Sequence, residues 1–221
     1  FLIQIMLNLL LFYMEVEMLQ TITGRIRKAI DDYNMIEDGD KIAIALSGGK
    51  DSIALLYALH NLKRFYPKNF EIIAITIHPD SDTFKTDKLE ELCKKLQIEY
   101  IIYHSDLSNI VFNIRKEKNP CSLCANLRRG MLNTLAIENG CNKIALGHHL
   151  DDVIETLFMN MCLNGKIHTF SPVTSFANST VKIIRPMIYV YEKETRALSR
   201  KMNFPLIGKC CPKDGDTMRE Y

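Results

Sequence analysis

Short apolar runs of β character alternate with helical patterns along most of this chain, and that alternation restricts the fold more than any other feature. Lys41–Leu46 (KIAIAL) and Ile72–Ile77 (IIAITI) read as strands, as do Glu99–Tyr103, Lys143–Leu146 and Val181–Ile184. Helical spacing marks Ser52–Phe65, Asp87–Leu96, Leu127–Glu138, Asp151–Leu163 and Glu192–Met202. A helix between two strands lets the second strand return parallel to the first. The pattern therefore predicts an α/β fold: a doubly wound, mainly parallel five-stranded sheet in the order 3-2-1-4-5, with helices on both faces. A helix over Leu19–Tyr33 precedes it and a Cys-containing tail follows. The expected organisation is an N-terminal helical segment over 1–36, one α/β domain over 37–205 and a Cys-containing tail over 206–221.

The composition fits a packed globule, with 47% apolar and 24% charged residues. Net charge is only +2, so the total does not announce a nucleic-acid partner. The distribution is less even. Residues 181–221 hold nine Lys/Arg against five Asp/Glu, and residues 115–131 hold five against one. Two basic segments on an acidic body form a phosphate-binding face only if they fold together; separately they are solvated helix faces. Phe1–Met14 is apolar, but no basic residue precedes it and it is shorter than the roughly 20 residues of a bilayer span. It reads as a packing or homodimer segment rather than a membrane anchor. The expected compartment is the reducing cytoplasm, where cysteines serve as metal ligands or catalysts more often than as disulfides.

Two loops carry the chemistry. Ser47-Gly48-Gly49-Lys50-Asp51-Ser52 joins the first strand to the first helix of the sheet. The glycines let backbone approach a ligand, helix-start N–H groups make an anion site, and Lys50, Ser47 and Ser52 add donors. Asp51 beside phosphate makes sense when a divalent cation lies between them. The six residues resemble the SGGxDS signature of N-type ATP pyrophosphatases, which implies ATP cleaved between its α and β phosphates. Gly147-His148-His149-Leu150-Asp151-Asp152 follows the fourth strand. If the first and fourth strands are neighbours, both loops border one crevice at the strands' carboxyl ends. Asp51 and Asp151 are then the expected Mg²⁺ ligands. Gly147, His148, His149 and Asp152 are expected at the nucleotide, with the adenine near Ile77 and His78.

Cys121 and Cys124 form a Cys-x-x-Cys just before a helix, with Arg128 and Arg129 one turn in, and Cys210 and Cys211 lie far downstream. A helix N-terminus favours thiolate, and paired thiolates want a metal or each other. Zinc takes four such ligands; a cluster held by three leaves one iron open. Cys93, Cys141 and Cys162 are expected to be buried apolar residues.

The two loops together also resemble tRNA lysidine synthetases. Adding the Cys pair with Leu127-Arg-Arg-Gly130, Thr156-Leu-Phe-Met-Asn160, Gly165-Lys166, Ile184-Arg-Pro186 and the upstream Asp32-Tyr-Asn-Met-Ile36, the chain from about residue 25 onward is similar to the tRNA 2-thiocytidine synthetases. That resemblance implies an ATP-dependent tRNA sulfurtransferase that adenylates the C2 oxygen of a cytidine and replaces it with sulfur. It implies a [4Fe–4S] cluster on Cys121, Cys124 and Cys211, with Cys210 as the alternative ligand, and a sulfur donor, either sulfide or a cysteine-desulfurase product. The catalytic set it implies is Lys50, Asp51, Asp151 and Cys121. Arg128, Arg129, Lys166 and Arg185 become candidate tRNA-phosphate contacts. The chain departs from the family in its adjacent Cys210 and Cys211, where members often carry a second Cys-x-x-Cys; members also usually continue past the position of Tyr221, so a C-terminal piece is expected to be missing from the sequence. Thiolation of uridine, a lysidine-type ligation and a non-catalytic ATP- or metal-binding module are the competing readings.

Overall fold

The computed structural model describes residues 2–79, 83–115, 120–175 and 179–208. Its centre is β1 (Asp40–Ala45), which pairs in parallel with β2 (Phe70–His78) on one side and β4 (Lys143–Ala145) on the other. β3 (Glu99–His104) extends the sheet beyond β2, and β6 (Lys182–Ile184) extends it beyond β4. The short strand β5 (Val173–Ser175) closes that edge antiparallel to β6, so the order is β3-β2-β1-β4-β6-β5. The predicted class and the neighbouring of the first and fourth strands hold. The expected fifth strand is β6, and a sixth strand joins it. Three residues are too few for an alternating pattern to register, which is why β5 escaped the sequence reading.

Alternate residues of the strands feed two cores, as the two-residue period of a strand requires. Ile42, Ile44, Ile72 and Ala74 face the core shared with α1 (Leu2–Asp32), α2 (Lys50–Leu62) and α6 (Glu192–Lys201). Ala43, Ile73, Ile75, Ile144 and Ile183 face the other core, with Leu135 and Ala136 of α4 (Pro120–Glu138). The remaining helices are α3 (Asp87–Lys95), on the first face, α5 (Leu150–Asn164), which has no buried residue, and a π-helical segment over Asn109–Arg115. Strands buried on both sides read as continuous apolar runs, which is what KIAIAL and IIAITI are. α1 presents Ile22, Ile26 and Ile30 at four-residue spacing to the core, and it begins at Leu2, well before the expected Leu19. Among the described residues no helix is long and apolar enough to cross a membrane.

At the amino ends of β1 and β4, Lys143 and Asp40 make a buried ion pair, with exposures of 3% and 2%. Asp40 also accepts from Asn142 Nδ2 at 2.7 Å and from the Glu37 N–H at 2.6 Å. A buried pair with such additional hydrogen bonds fixes which strand lies beside which. The carboxyl ends of the same strands are left to the two loops.

Candidate active site

β1 and β4 lie side by side but their chains leave in opposite directions, β1 into α2 and β4 into α5. The crevice between the two exits is the cavity that the strand order requires. It has a volume of about 400 Å³, and Ser47, Gly49, Asp51 and Ser52 of the first loop line it with Gly147, His148 and Asp152 of the second. Ala125, Arg128, Arg129 and Leu132 of α4 form a further wall.

Backbone geometry in both loops depends on glycine. Gly48 has φ +80°, a conformation that side chains rarely adopt. Gly147 packs so closely that a Cβ there would stand 3.1 Å from the Asp51 carbonyl carbon and 3.2 Å from the Ser52 nitrogen. Two backbones in contact bring the helix starts of α2 and α5 to one cavity, and helix starts present N–H groups without intrahelical partners. Ser52 Oγ donates to the Gly49 carbonyl at 2.9 Å and lies 3.2 Å from Ser47 Oγ, which braces the first turn. The Ile207 N–H donates to the Gly48 carbonyl at 3.0 Å, so the end of the described chain is fastened to this loop.

Charged groups are arranged unevenly around the cavity. Lys50 Nζ bonds Asp51 Oδ2 at 2.8 Å and Glu192 Oε1 at 2.9 Å. Burial works against the Lys50 ammonium, but the two carboxylates outweigh it and hold its pKa above the ordinary lysine value. Lys50 is not among the cavity-lining residues; it points to the first turn of α6. His149 is buried and caps α5: its Nδ1 accepts from the Asp152 N–H at 3.3 Å, while Asp152 Oδ2 accepts from the His149 N–H at 2.9 Å. Its Nε2 stands 3.9 Å from Asp51 Oδ2, so His149 links the loops from behind. His148 lines the cavity and rests against Phe170, with ring centroids 5.1 Å apart.

Several expected residues lie elsewhere. Asp152 lines the cavity, whereas Asp151 lines a neighbouring groove and accepts from the Glu192 N–H at 2.7 Å. Successive helical residues are separated by about 100°, so adjacent carboxylates face different ways. The carboxylates available to one cation in the cavity are therefore Asp51 and Asp152, in place of Asp51 and Asp151. Ile77 and His78 end β2 outside the cavity lining; Ile77 is buried and His78 Nε2 is 2.8 Å from the Phe84 carbonyl. Arg185 is buried at 5% exposure, with Nη1 donating to the Ser171 carbonyl at 2.7 Å and Thr174 Oγ1 at 2.9 Å. Burial, aided by Arg129, pushes its pKa down to about 10. From this buried position it braces β5 and β6, with its Nε left without a hydrogen-bond partner among the described residues. Lys166 is exposed just past α5.

Arg128 and Arg129, expected on an RNA-facing surface, are part of the cavity wall, and Arg128 Nε is buried with no hydrogen-bond partner among the described residues. A buried, unsatisfied guanidinium donor at a cavity suits an anionic ligand. The Cys pair is not before the helix but within the first turn of α4, which starts at Pro120, a residue tolerated there because its missing N–H is not needed. Cys121 is exposed and Cys124 half-buried; three residues apart, they share one helix face. Two thiols on a face suit a soft metal centre, as a partial ligand set. Cys210 and Cys211 lie outside the described residues. Cys93 and Cys141 are buried as expected and burial pushes both thiols up to about 11, but Cys162 is exposed on α5.

The sequence reading missed the contributions of Glu192 and Thr195. No local pattern marks them, since they reach Lys50 and Asp51 from 142 and 144 residues away. Ala125, Arg128 and Leu132 carried a usable signal: they repeat at helical spacing on one face of α4.

An α/β sheet whose paired glycine loops meet at the switch point defines a nucleotide-binding domain. The family model described as a PP-loop domain matches residues 18–206. The chain is 40% identical over 192 residues to the tRNA-cytidine(32) 2-sulfurtransferase of Citrifermentans bemidjiense, covering 86% of this chain and 75% of that one. It is 40% identical over 196 residues to the enzyme of that name from Geobacter metallireducens, with the same coverage. Among solved structures, the U34-tRNA thiolase NcsA from Methanococcus maripaludis, with its [4Fe-4S] cluster, superposes with a TM-score of 0.70 at 28% identity, covering 90% of this chain and 67% of that one. This chain belongs to the PP-loop family and, within it, to the tRNA-cytidine 2-sulfurtransferases, a family of transferases.

Proposed function

We propose that this chain uses ATP to activate the C2 carbonyl oxygen of a tRNA cytidine and replaces that oxygen with sulfur. One observation carries the reading: α4 holds the Cys121–Cys124 pair in its first turn and the cavity wall, Ala125 to Leu132, directly after it. Cys124 and the wall residue Ala125 are consecutive, about 1.5 Å of helical rise apart, so the cysteine pair abuts the cavity. The relatives' names supply the substrate class, and cytidine is favoured over uridine because the cytidine enzymes are the more similar, at 40% identity against 28%.

The helix starts of α2 and α5, with Ser47 and Ser52, bind the β and γ phosphates, while Lys50 holds Asp51 from the α6 side. Asp51 and Asp152 are the side chains that would hold Mg²⁺, and Arg128 meets charge developing at the α-phosphate. The cytidine O2 attacks that phosphorus, the α–β phosphoanhydride bond breaks and pyrophosphate leaves. Sulfide sulfur then bonds to C2, the C2–O bond breaks, and AMP leaves with the oxygen. A [4Fe–4S] cluster, with Cys121, Cys124 and Cys211 or Cys210 as its thiolates, would present sulfur to the base. Ile207, three residues before Cys210 in the chain, is bonded to Gly48 of the phosphate loop. Arg129 and Lys166 are the remaining candidates for tRNA phosphates, and the target base must leave its stack to enter.

The test is anaerobic reconstitution with iron, sulfide, ATP, Mg²⁺ and bulk tRNA, followed by nucleoside mass spectrometry. 2-Thiocytidine is the expected product. A 2-thiouridine or lysidine signal, or ATP binding without pyrophosphate release, would overturn the reading.

A further inference from the structure

Adjacent residues on a helix do not face each other, so nothing in α2 itself brings Lys50 Nζ onto Asp51 Oδ2. The contact is held from outside. α6 supplies the holders: Glu192 Oε1 lies 2.9 Å from Lys50 Nζ, and Thr195 Oγ1 donates to Asp51 Oδ1 at 2.6 Å. Thr195 is fully buried, at 0% exposure, while Asp51 remains one-quarter exposed toward the cavity. α6 is well anchored for this task. Leu198 and Ser199 are buried, Glu194 pairs with Arg25 of α1 at 3.1 Å, and its other oxygen accepts from the Tyr191 N–H at 2.9 Å. The Glu192 N–H also reaches Asp151 of the second loop.

We infer that Thr195 is a positioning residue of the nucleotide site: its hydroxyl, bonded to Asp51 Oδ1, fixes the rotamer of a carboxylate that lines the cavity. Oδ2, which Lys50 shares and which has a second lone pair, is thereby held where a cation bound with the triphosphate can reach it. A carboxylate at a helix start has several staggered rotamers open to it. With Lys50 on one oxygen and Thr195 on the other, Asp51 is held in one of them. Thr195 touches neither nucleotide nor tRNA and acts only through Asp51. The inference rests on the ATP reading above but concerns a residue that reading does not require.

Calorimetric titration with a non-hydrolysable ATP analogue, at several Mg²⁺ concentrations, tests it without turnover. Thr195→Val keeps the shape and removes the hydroxyl; it should weaken Mg²⁺-dependent analogue binding roughly ten-fold, the worth of one hydrogen bond to a charged group. Thr195→Ser should restore binding, and in an Asp51→Asn background Thr195→Val should add no further loss. Thermal melting of each variant reports the fold separately. Unchanged binding by Thr195→Val, a Ser variant as weak as the Val variant, or an equal loss in the Asp51→Asn background would overturn the inference. Failure of the wild-type protein to bind the analogue at all would sink the ATP reading, whereas normal wild-type binding with insensitive variants sinks only this one.

Discussion

Glu192 shows how one side chain can be committed to several partners at once. Arg196 bonds both of its oxygens at 2.8 Å and Lys50 takes one at 2.9 Å, and together they push its carboxyl from 4.5 down to about 2. A depressed folded-state pKa means that the unfolded chain binds the proton first as the pH falls. The stabilisation is therefore complete above about pH 4.5 and disappears as the pH drops toward 2. Urea unfolding midpoints between pH 6 and 2 should fall more steeply for the wild type than for Glu192→Gln; parallel slopes would show that the pairs contribute nothing. The side chain is about one-third exposed, so solvent screening keeps the effect modest. At this scale the sequence identifies the groups but not their partners. SGGKDS announces a phosphate site on its own, while Asp51 acquires Thr195 and Lys50 acquires Glu192 only through folding.

Among the elements, the β5–β6 edge depends on a residue that looked functional. Arg185 follows β6 directly, bonds the chain leading into β5, and lies 5.0 Å from the Phe170 ring centroid. Arg185→Met should preserve the volume but remove charge-assisted hydrogen bonds, costing about 1.5–3 kcal/mol in urea denaturation. The salt dependence of tRNA binding should stay as in the wild type. A variant of normal stability with weakened tRNA binding would return Arg185 to the RNA surface. Burial is what separates the two roles, and an arginine in an Ile-Arg-Pro stretch carries no sequence mark of it. Helix α4 teaches the reverse lesson. Its start at Pro120 follows from the tolerance of proline in a first helical turn, and it converts Cys121 and Cys124 from loop residues into neighbours on a helix face.

For the molecule as a whole, the decisive arrangement is that α4 brings Cys121 and Cys124 beside the cavity of the two glycine loops, at the end of the sheet opposite the buried Lys143–Asp40 pair. Cys121→Ala should then leave ATP-analogue binding intact while abolishing thiolation and lowering the iron and acid-labile sulfide of anaerobically prepared protein. Loss of analogue binding in that variant would mean that the cysteine supports the fold of α4 instead. The sequence alone determined the class of sheet, its central strands and its two glycine loops, because a strand buried on both faces and a turn that needs backbone near phosphate each leave a local and unambiguous signature. Only the tertiary structure decided which of Asp151 and Asp152 faces the cavity, that Arg128 belongs to its wall, and that α6 holds Lys50 and Asp51. Those are matters of direction and of contact between distant segments, and no local pattern of residues encodes either.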